Sequence, residues 1–243
     1  MFERKRAVLN AAGVGYLLCG FLVALAAGSV YFVSTRNPYR LVRDWDLLLV
    51  QRGQFIGVGV LGGLLLFGVV LAALLVVAAV ASRAALLHPT SATLGGAFLA
   101  AALGALAVLA VRTGLVTTHA ALQYASTADE MHKHSLLVEA YLGEHTFMLG
   151  LWCFFGFAAP GLYLLGRALR GERGWYSDLL KLAAALVLLH LPLTLYLARE
   201  SLLFDRYPRG LAALDQVLVW SGLALATFAC TRWLHLLGRK LPQ

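Results

Sequence analysis

The apolar positions of this chain fall into six long runs separated by shorter polar segments. The runs cover about residues 8–33, 55–81, 92–116, 143–166, 178–198 and 211–236. A helix needs about 20 residues to cross about 30 Å of hydrocarbon, whereas a transmembrane barrel shows alternating segments of about ten residues. The pattern predicts an all-α polytopic membrane protein, a six-transmembrane-helix bundle that forms a single membrane domain over residues 1–243.

The connection after the first span has a pattern of its own. Its apolar positions recur at helical spacing opposite charged ones, and they are Leu41, Val42, Trp45, Leu48 and Leu49. An amphipathic stretch of this kind is typical of a helix that lies in the membrane interface. We therefore expect a short interfacial helix within residues 37–54.

Composition agrees with a membrane protein and limits the partners. Of the 243 residues, 60% are hydrophobic and 13% are charged, and the mean hydropathy is +0.78. The net charge of +8 does not indicate nucleic acid, because Lys and Arg lie mainly between the apolar runs, where they meet lipid headgroups. The expected partners are the lipid bilayer and other membrane-protein subunits, with no nucleic acid.

The distribution of Lys and Arg also predicts an orientation. With the N-terminus inside, the cytoplasmic segments hold ten of these residues and the opposite segments hold eight. Cytoplasmic loops of membrane proteins carry the excess of Lys and Arg. We expect a multi-pass protein of the cell inner membrane with both termini in the cytoplasm, and a first span that is retained because it is longer than a signal-peptide core.

Glycine is concentrated in the second and third spans. Small residues allow helix backbones to approach closely in a membrane, as in the GxxxG pair formed by Gly59 and Gly63. These two spans are expected to pack tightly on each other or on a partner.

Histidine is the polar residue with the most informative placement. Five of the seven histidines lie toward the predicted outer half, and they are His119, His132, His134, His145 and His190. His190 lies inside the fifth span without a charged neighbour in sequence, and an ionisable residue within a span indicates a functional site. Pro192 is expected to kink this helix. The alternative is a neutral His190 that hydrogen-bonds a neighbouring helix.

His145 opens the aromatic fourth span, which is expected to pack antiparallel to the fifth. His145 and His190 would then lie at comparable depth, and two histidines on facing helices can ligate a b-type haem. His119 is a further candidate ligand. Arg112 and Asp215 lie near the outer ends of their spans, where they could pair or flank a haem propionate or a quinone headgroup.

The segment from His145 to Arg167, with Tyr163 near its end, resembles the haem-bearing second helix of the catalytic subunit of haem–copper oxidases and nitric oxide reductases. The resemblance covers about a tenth of the chain and implies that His145 is a haem ligand. The copper-ligating histidines of that family have no counterpart here, so the resemblance does not extend to oxygen chemistry.

His132 and His134 form a second constellation with neighbouring carboxylates. An HxH pair in an extended segment could bind zinc or copper, whereas on a helix the two side chains would face different ways. The alternative is a solvated polar loop.

These observations predict an integral membrane subunit of an electron-transfer complex, with haem b held by His190 and His145 or His119 and with quinone as a possible partner. The alternatives are a structural subunit of a respiratory or photosynthetic assembly, and an outer-face copper or zinc protein. The chain contains no HExxH, GxSxG or Walker motif, so the sequence gives no sign of those hydrolase chemistries.

Overall fold

The computed structural model describes residues 2–35, 56–111, 117–170, 175–204 and 206–240. Within these ranges the side chains of residues 2–4, 56–59, 117–120, 125, 139–148 and 202 are not described. The described residues form seven α-helices and no strand. The helices are α1 (Phe2–Thr35), α2 (Ile56–Ala84), α3 (Pro89–Val111), α4 (Thr117–Ser126), α5 (Glu130–Ala168), α6 (Tyr176–Phe204) and α7 (Arg209–Lys240).

Six of these helices are long and apolar enough to span a bilayer. The candidate spans are Lys5–Thr35, Val60–Ala84, Pro89–Val111, Leu149–Ala168, Tyr176–Ser201 and Arg209–Lys240. The predicted six-helix membrane bundle is therefore confirmed, and each predicted run falls mainly within one of these helices. The interfacial helix predicted within 37–54 lies outside the described residues.

The polar connection between the third and fourth spans is helical over most of its length. It contains α4 and the first turns of α5, which begins at Glu130 rather than near residue 143. The Asp129 side chain accepts a hydrogen bond from the Met131 amide at 3.0 Å and so caps α5. Lys133 pairs with Glu130 one turn earlier at 2.7 Å, which also favours a helix here.

The helices pack so that the first turns of α1 and the last turns of α7 lie at one end of the bundle. α1 runs antiparallel to α7: a side chain at Gly238 would meet Leu9, and one at Gly15 would meet Thr231. We call this the terminal end. The opposite end, where residues 205–208 connect α6 to α7, is the α6–α7 end.

The membrane-facing surface is apolar and the few buried polar groups lie inside. On α6, Leu188 is 58% exposed and Leu189 is 55% exposed, whereas the next residue, His190, is only 5% exposed. A bilayer is as apolar as these leucine side chains, so helix association depends on close packing and on internal hydrogen bonds. Polar residues that face inward therefore hold more information about function than the exposed ones.

α3 approaches the backbone of α5 closely at Gly95. A Cβ atom added to Gly95 would lie 2.8 Å from the Leu165 backbone nitrogen and 3.1 Å from the Gly161 carbonyl oxygen. Gly96 faces Ala81 of α2 at 2.9 Å by the same measure. The tight glycine packing expected of the third span is thus present. A Cβ at Gly62 or Gly68 of α2 would meet nothing within 4 Å, so these two positions are open.

We expect Gly95→Ala to destabilise the protein and Gly104→Ala not to. Alanine favours a helix interior by about 1 kcal/mol over glycine, and a Cβ at Gly104 has open space around it. At Gly95 the added atom meets backbone that cannot move aside, which costs about 1–3 kcal/mol or more. Unfolding of both variants in mixed detergent micelles measures the difference. Equal stability of the two variants would contradict the packing of α3 on α5.

Candidate functional site

A histidine and an aspartate form a buried pair between α6 and α7. The Nδ1 atom of His190 lies 2.7 Å from Oδ1 of Asp215. Both residues are almost fully buried, at 5% and 2% exposure. In a bilayer such a pair is costly unless its groups hydrogen-bond each other, and this geometry meets that condition.

The direction of the hydrogen bond follows from the chemistry of the two groups. An ionised carboxylate only accepts hydrogen bonds, so the ring proton is assigned to Nδ1, which donates to Asp215. The Nε2 atom of His190 then carries a lone pair that can accept a proton. A proton added there produces an imidazolium beside a carboxylate, a pair without net charge, and its removal leaves the pair with one negative charge.

Three further side chains complete the network. Thr194, one turn after His190 on α6, donates its hydroxyl to Asp215, with distances of 3.1 Å to Oδ2 and 3.2 Å to Oδ1. The Gln216 amide nitrogen lies 3.5 Å from Oδ2 of Asp215. The indole nitrogen of Trp220 donates to the Gln216 amide oxygen at 3.1 Å. The carboxylate therefore has donors from both helices.

Local sequence explains why α6 and α7 come close enough to form the pair. Their connection is short, so they pack as antiparallel neighbours. Gly222 of α7 is buried against α6, and a Cβ there would lie 3.0 Å from Val187 and 3.1 Å from the Ala183 carbonyl oxygen. The third wall is α5, where the Phe155 ring meets the His190 ring edge-to-face at a centroid distance of 4.6 Å.

The pair lies far from the charged ends of α6. His190 is nine residues from Lys181 and nine from Arg199, or about 14 Å along the helix in each direction. Asp215 is closer to an end, six residues after Arg209. The pair is therefore within the apolar part of the bundle. His190 lies in the middle of α6, whereas Asp215 lies close to the start of α7.

Tyr207, in the connection between α6 and α7, is electrostatically linked to the pair. Burial raises the pKa of its phenol to about 12, and the negative charge of Asp215 also raises this pKa, while Arg209 lowers it. Its ring packs against a small cluster that contains Val33, Leu197 and Ala212. Tyr207 thus lies on the side of the pair that faces the α6–α7 end.

The structure describes no contact between His190 and either of the other predicted haem ligands, His145 and His119. His145 lies on α5 ten residues before Phe155, the residue that contacts the His190 ring. Ten residues correspond to about 15 Å along a helix, so His145 and His190 are not at comparable depth along α5. His119 lies on α4, and the side chains of His145 and His119 are outside those described.

His132 and His134 lie on the first turns of α5 and are exposed. Residues two apart on a helix face different ways, so this segment does not have the extended form that chelation by the pair required. Within the part of the chain that the structure describes, no group of three His, Cys, Asp or Glu side chains is placed to hold a metal ion.

The contacts of the His190 ring bear on the predicted b-type haem in opposite ways. Donation of Nδ1–H to a carboxylate is what a ligating histidine often shows. However, Phe155 packs against the ring, and the Thr194 hydroxyl oxygen lies 3.3 Å from Nε2. The described cavity, about 90 Å³, is lined by α1, α2, α3, α5 and α7 and not by His190. Haem ligation by His190 therefore stays a prediction.

Asp215 was not predicted from the sequence to be the partner of His190. The sequence suggested that Asp215 could pair with Arg112, which lies outside the described residues, whereas in the structure Asp215 contacts His190. Two signals were available: Thr194 is one turn from His190, and a short connection makes α6 and α7 antiparallel neighbours. Comparisons with protein-family models, curated proteins and solved structures found no match to this chain.

We expect the Asp215→Asn substitution to lower the pKa of Tyr207. The negative charge of Asp215 raises that pKa, so a neutral amide at this position removes one of its causes, while burial remains. Phenolate absorbance during an alkaline titration measures the effect, with a Tyr207→Phe variant to identify the signal. An unchanged Tyr207 titration would contradict the proximity of the two groups.

We also expect the effects of His190→Leu and Asp215→Leu on stability to be non-additive. Loss of one partner from a buried pair costs about 3–5 kcal/mol, because the other polar group is left unsatisfied. The double variant removes both groups, so it should be more stable than the sum predicts by at least about 1 kcal/mol. Unfolding in mixed micelles provides the measurement. Leu189→Ala, on the exposed side of α6, is the control for a change that leaves the pair intact.

Proposed function

We propose that this chain is a proton-coupled integral membrane protein and that the His190–Asp215 pair is its proton-binding site. The observation that carries the proposal is the 2.7 Å contact between an imidazole and a carboxylate, both almost fully buried. Ionisable residues within membrane spans are rare and often form proton relays. Histidine is suited to this role because its unperturbed pKa lies near neutrality.

The described network supports exchange of a proton at the pair. His190 holds one proton on Nδ1 and can take a second on Nε2, beside the Thr194 hydroxyl oxygen at 3.3 Å. A hydroxyl both donates and accepts hydrogen bonds, so Thr194 can pass a proton to or from the ring. Asp215 compensates the positive charge of the imidazolium, which makes the protonated pair neutral overall in the apolar layer.

Infrared difference spectroscopy of the reconstituted protein tests the proposal. Spectra recorded between about pH 4 and 10, the range in which His and perturbed carboxyl groups titrate, should show changes in ring and carboxyl bands. The changes that belong to the pair should be lost in His190→Gln and Asp215→Asn, while those of the other titrating side chains remain. Asp178→Asn is the matched control, since Asp178 is an exposed aspartate of α6 that pairs with Lys181 at 3.4 Å.

A second candidate function is that of a structural subunit in a larger membrane assembly. It is favoured by the number of hydrogen bonds that Asp215 receives, because a fully satisfied polar network rigidifies a core. In that case neither His190 nor Asp215 changes protonation over the tested range, and the substitutions alter stability without altering the difference spectra. The same experiment therefore separates the two functions.

The haem-bearing electron-transfer subunit predicted from the sequence, with quinone as its partner, makes a separate prediction. Reduced-minus-oxidised visible spectra of the protein purified in mild detergent would then show a b-type haem band that is lost in His190→Ala and kept in His132→Ala. A normal haem spectrum in His190→Ala would exclude His190 as the ligand.

A further inference from the structure

The polar residues of α6 that face its partners form a stripe that leads to one end of the bundle. Thr194 and Ser201 lie four and eleven residues after His190. These spacings place all three residues on the same side of a helix. All three are buried or partly buried. The stripe starts at the pair and runs toward the α6–α7 end, where Tyr207 lies.

On the other side of the pair the packing is apolar. Toward the terminal end, the residues of α6 that pack against Gly222 include Ala183 and Val187, and Ala184 is buried next to them. On α7 the polar contacts of the network end at Trp220; Ser221 is only partly buried, and the Thr227 hydroxyl donates to the Leu223 carbonyl oxygen at 2.8 Å. Between the pair and the buried hydroxyls of Ser177 and Thr231, which lie near the terminal end, no buried polar side chain is described, and a water molecule needs two to four polar partners.

The cavity in this part of the bundle has the same character. Its volume is about 90 Å³, and its lining is almost wholly apolar, with Thr227 and Cys230 as its most polar members. Genuinely apolar cavities of this kind stay dry. The cavity therefore does not extend the polar route toward the terminal end.

The stripe on α6 is interrupted once. Leu197 lies between Thr194 and Ser201 and is buried with Val33 of α1 and Ala212 of α7, with Leu193 and Tyr207 packed against them. We call Val33, Leu197 and Ala212 the collar. An apolar constriction resists hydration, and such constrictions gate channels by excluding water. The collar lies between the pair and the α6–α7 end, with Leu197 about two helical turns of α6 after His190.

The titratable and charged groups around the pair are few among the described residues. α7 contributes Asp215 itself, and the connection contributes Tyr207 with Arg209 beside it. α5 faces His190 with Phe155, and α1 faces the collar with Val33. Arg199 of α6 is on the exposed side, over the Phe204 ring at 5.5 Å. Gln216 and Trp220 extend the network no more than five residues past Asp215 toward the terminal end. The titratable neighbours of the pair thus lie at or toward the α6–α7 end.

We propose that the His190–Asp215 pair exchanges its proton with one side of the membrane only, the side of the α6–α7 end, across the apolar collar formed by Val33, Leu197 and Ala212. This inference rests on the proposed function and gives it a direction. The pair is a proton store open to one compartment, and the collar sets how fast it fills and empties. A continuous proton wire through the bundle is not expected.

The test uses the full chain in lipid vesicles with a reporter next to the pair. Trp220 is bonded to Gln216, which contacts Asp215, so a variant that keeps Trp220 as its single tryptophan reports the state of the pair by fluorescence. Each chain carries a protease-cleavable tag at its C-terminus. The fraction of tags that an external protease removes is the fraction of chains whose terminal end faces the external solution. The pH of the external solution is then changed rapidly while the internal pH is buffered.

The expected result is a fast Trp220 response only from chains whose α6–α7 end faces the external solution. A response from chains whose terminal end faces that solution, or from both orientations, would overturn the inference while leaving proton binding intact. No response from either orientation, with Asp215→Asn indistinguishable from the parent, would instead overturn the proposed function itself.

The collar is tested by a polar substitution within it. Leu197→Ser should speed the Trp220 response at least about tenfold, because a hydroxyl allows water to enter the constriction. Leu195→Ser is the matched control, since Leu195 is a leucine of the same helix turn that is 47% exposed, and it should leave the rate unchanged. Equal rates in the two serine variants would show that the collar is not the barrier.

Discussion

The structure depends on one constraint: inside a bilayer a polar group has to find its partner within the protein. Hydrocarbon offers no water to an unsatisfied donor or acceptor, and each such group costs several kcal/mol. Helices satisfy the backbone, so only side chains remain to be matched. The contact between His190 and Asp215, supported by Thr194, meets this requirement. It also holds α6 and α7 in register, because a shift of one helix along the other would separate His190 from Asp215 and leave both polar groups unsatisfied.

Close backbone packing supports this register from the other helices. Gly222 lets α7 approach α6 about two turns from the pair, and Gly95 lets α3 approach α5. α5 in turn holds Phe155 against the His190 ring. In a membrane, where burial of apolar surface drives association only weakly, such contacts between small residues carry much of the packing energy. The site is therefore held by three helices that belong to one packed unit.

The fold could be predicted from the sequence because apolar runs of sufficient length have only one common solution in a bilayer. Helix ends in polar segments were harder, and the cap at Asp129 shows why: a single side chain extended α5 well beyond its apolar run. For the site, the position of His190 was enough to select it. Its partner was not predictable with confidence from sequence spacing, since Asp215 is 25 residues away and which helices face each other is decided by tertiary packing.

The length of α5 has a mechanical consequence. Its 39 residues correspond to about 58 Å, nearly twice the hydrocarbon thickness, so a rigid rod extends beyond the bilayer at the α6–α7 end. The 26 residues from Glu130 to Phe155 contain no proline, and Pro160 lies beyond them. A sideways force on the protruding turns is consequently carried as a tilt over a lever arm of about 38 Å, and the ring that this lever moves against the His190–Asp215 pair is that of Phe155.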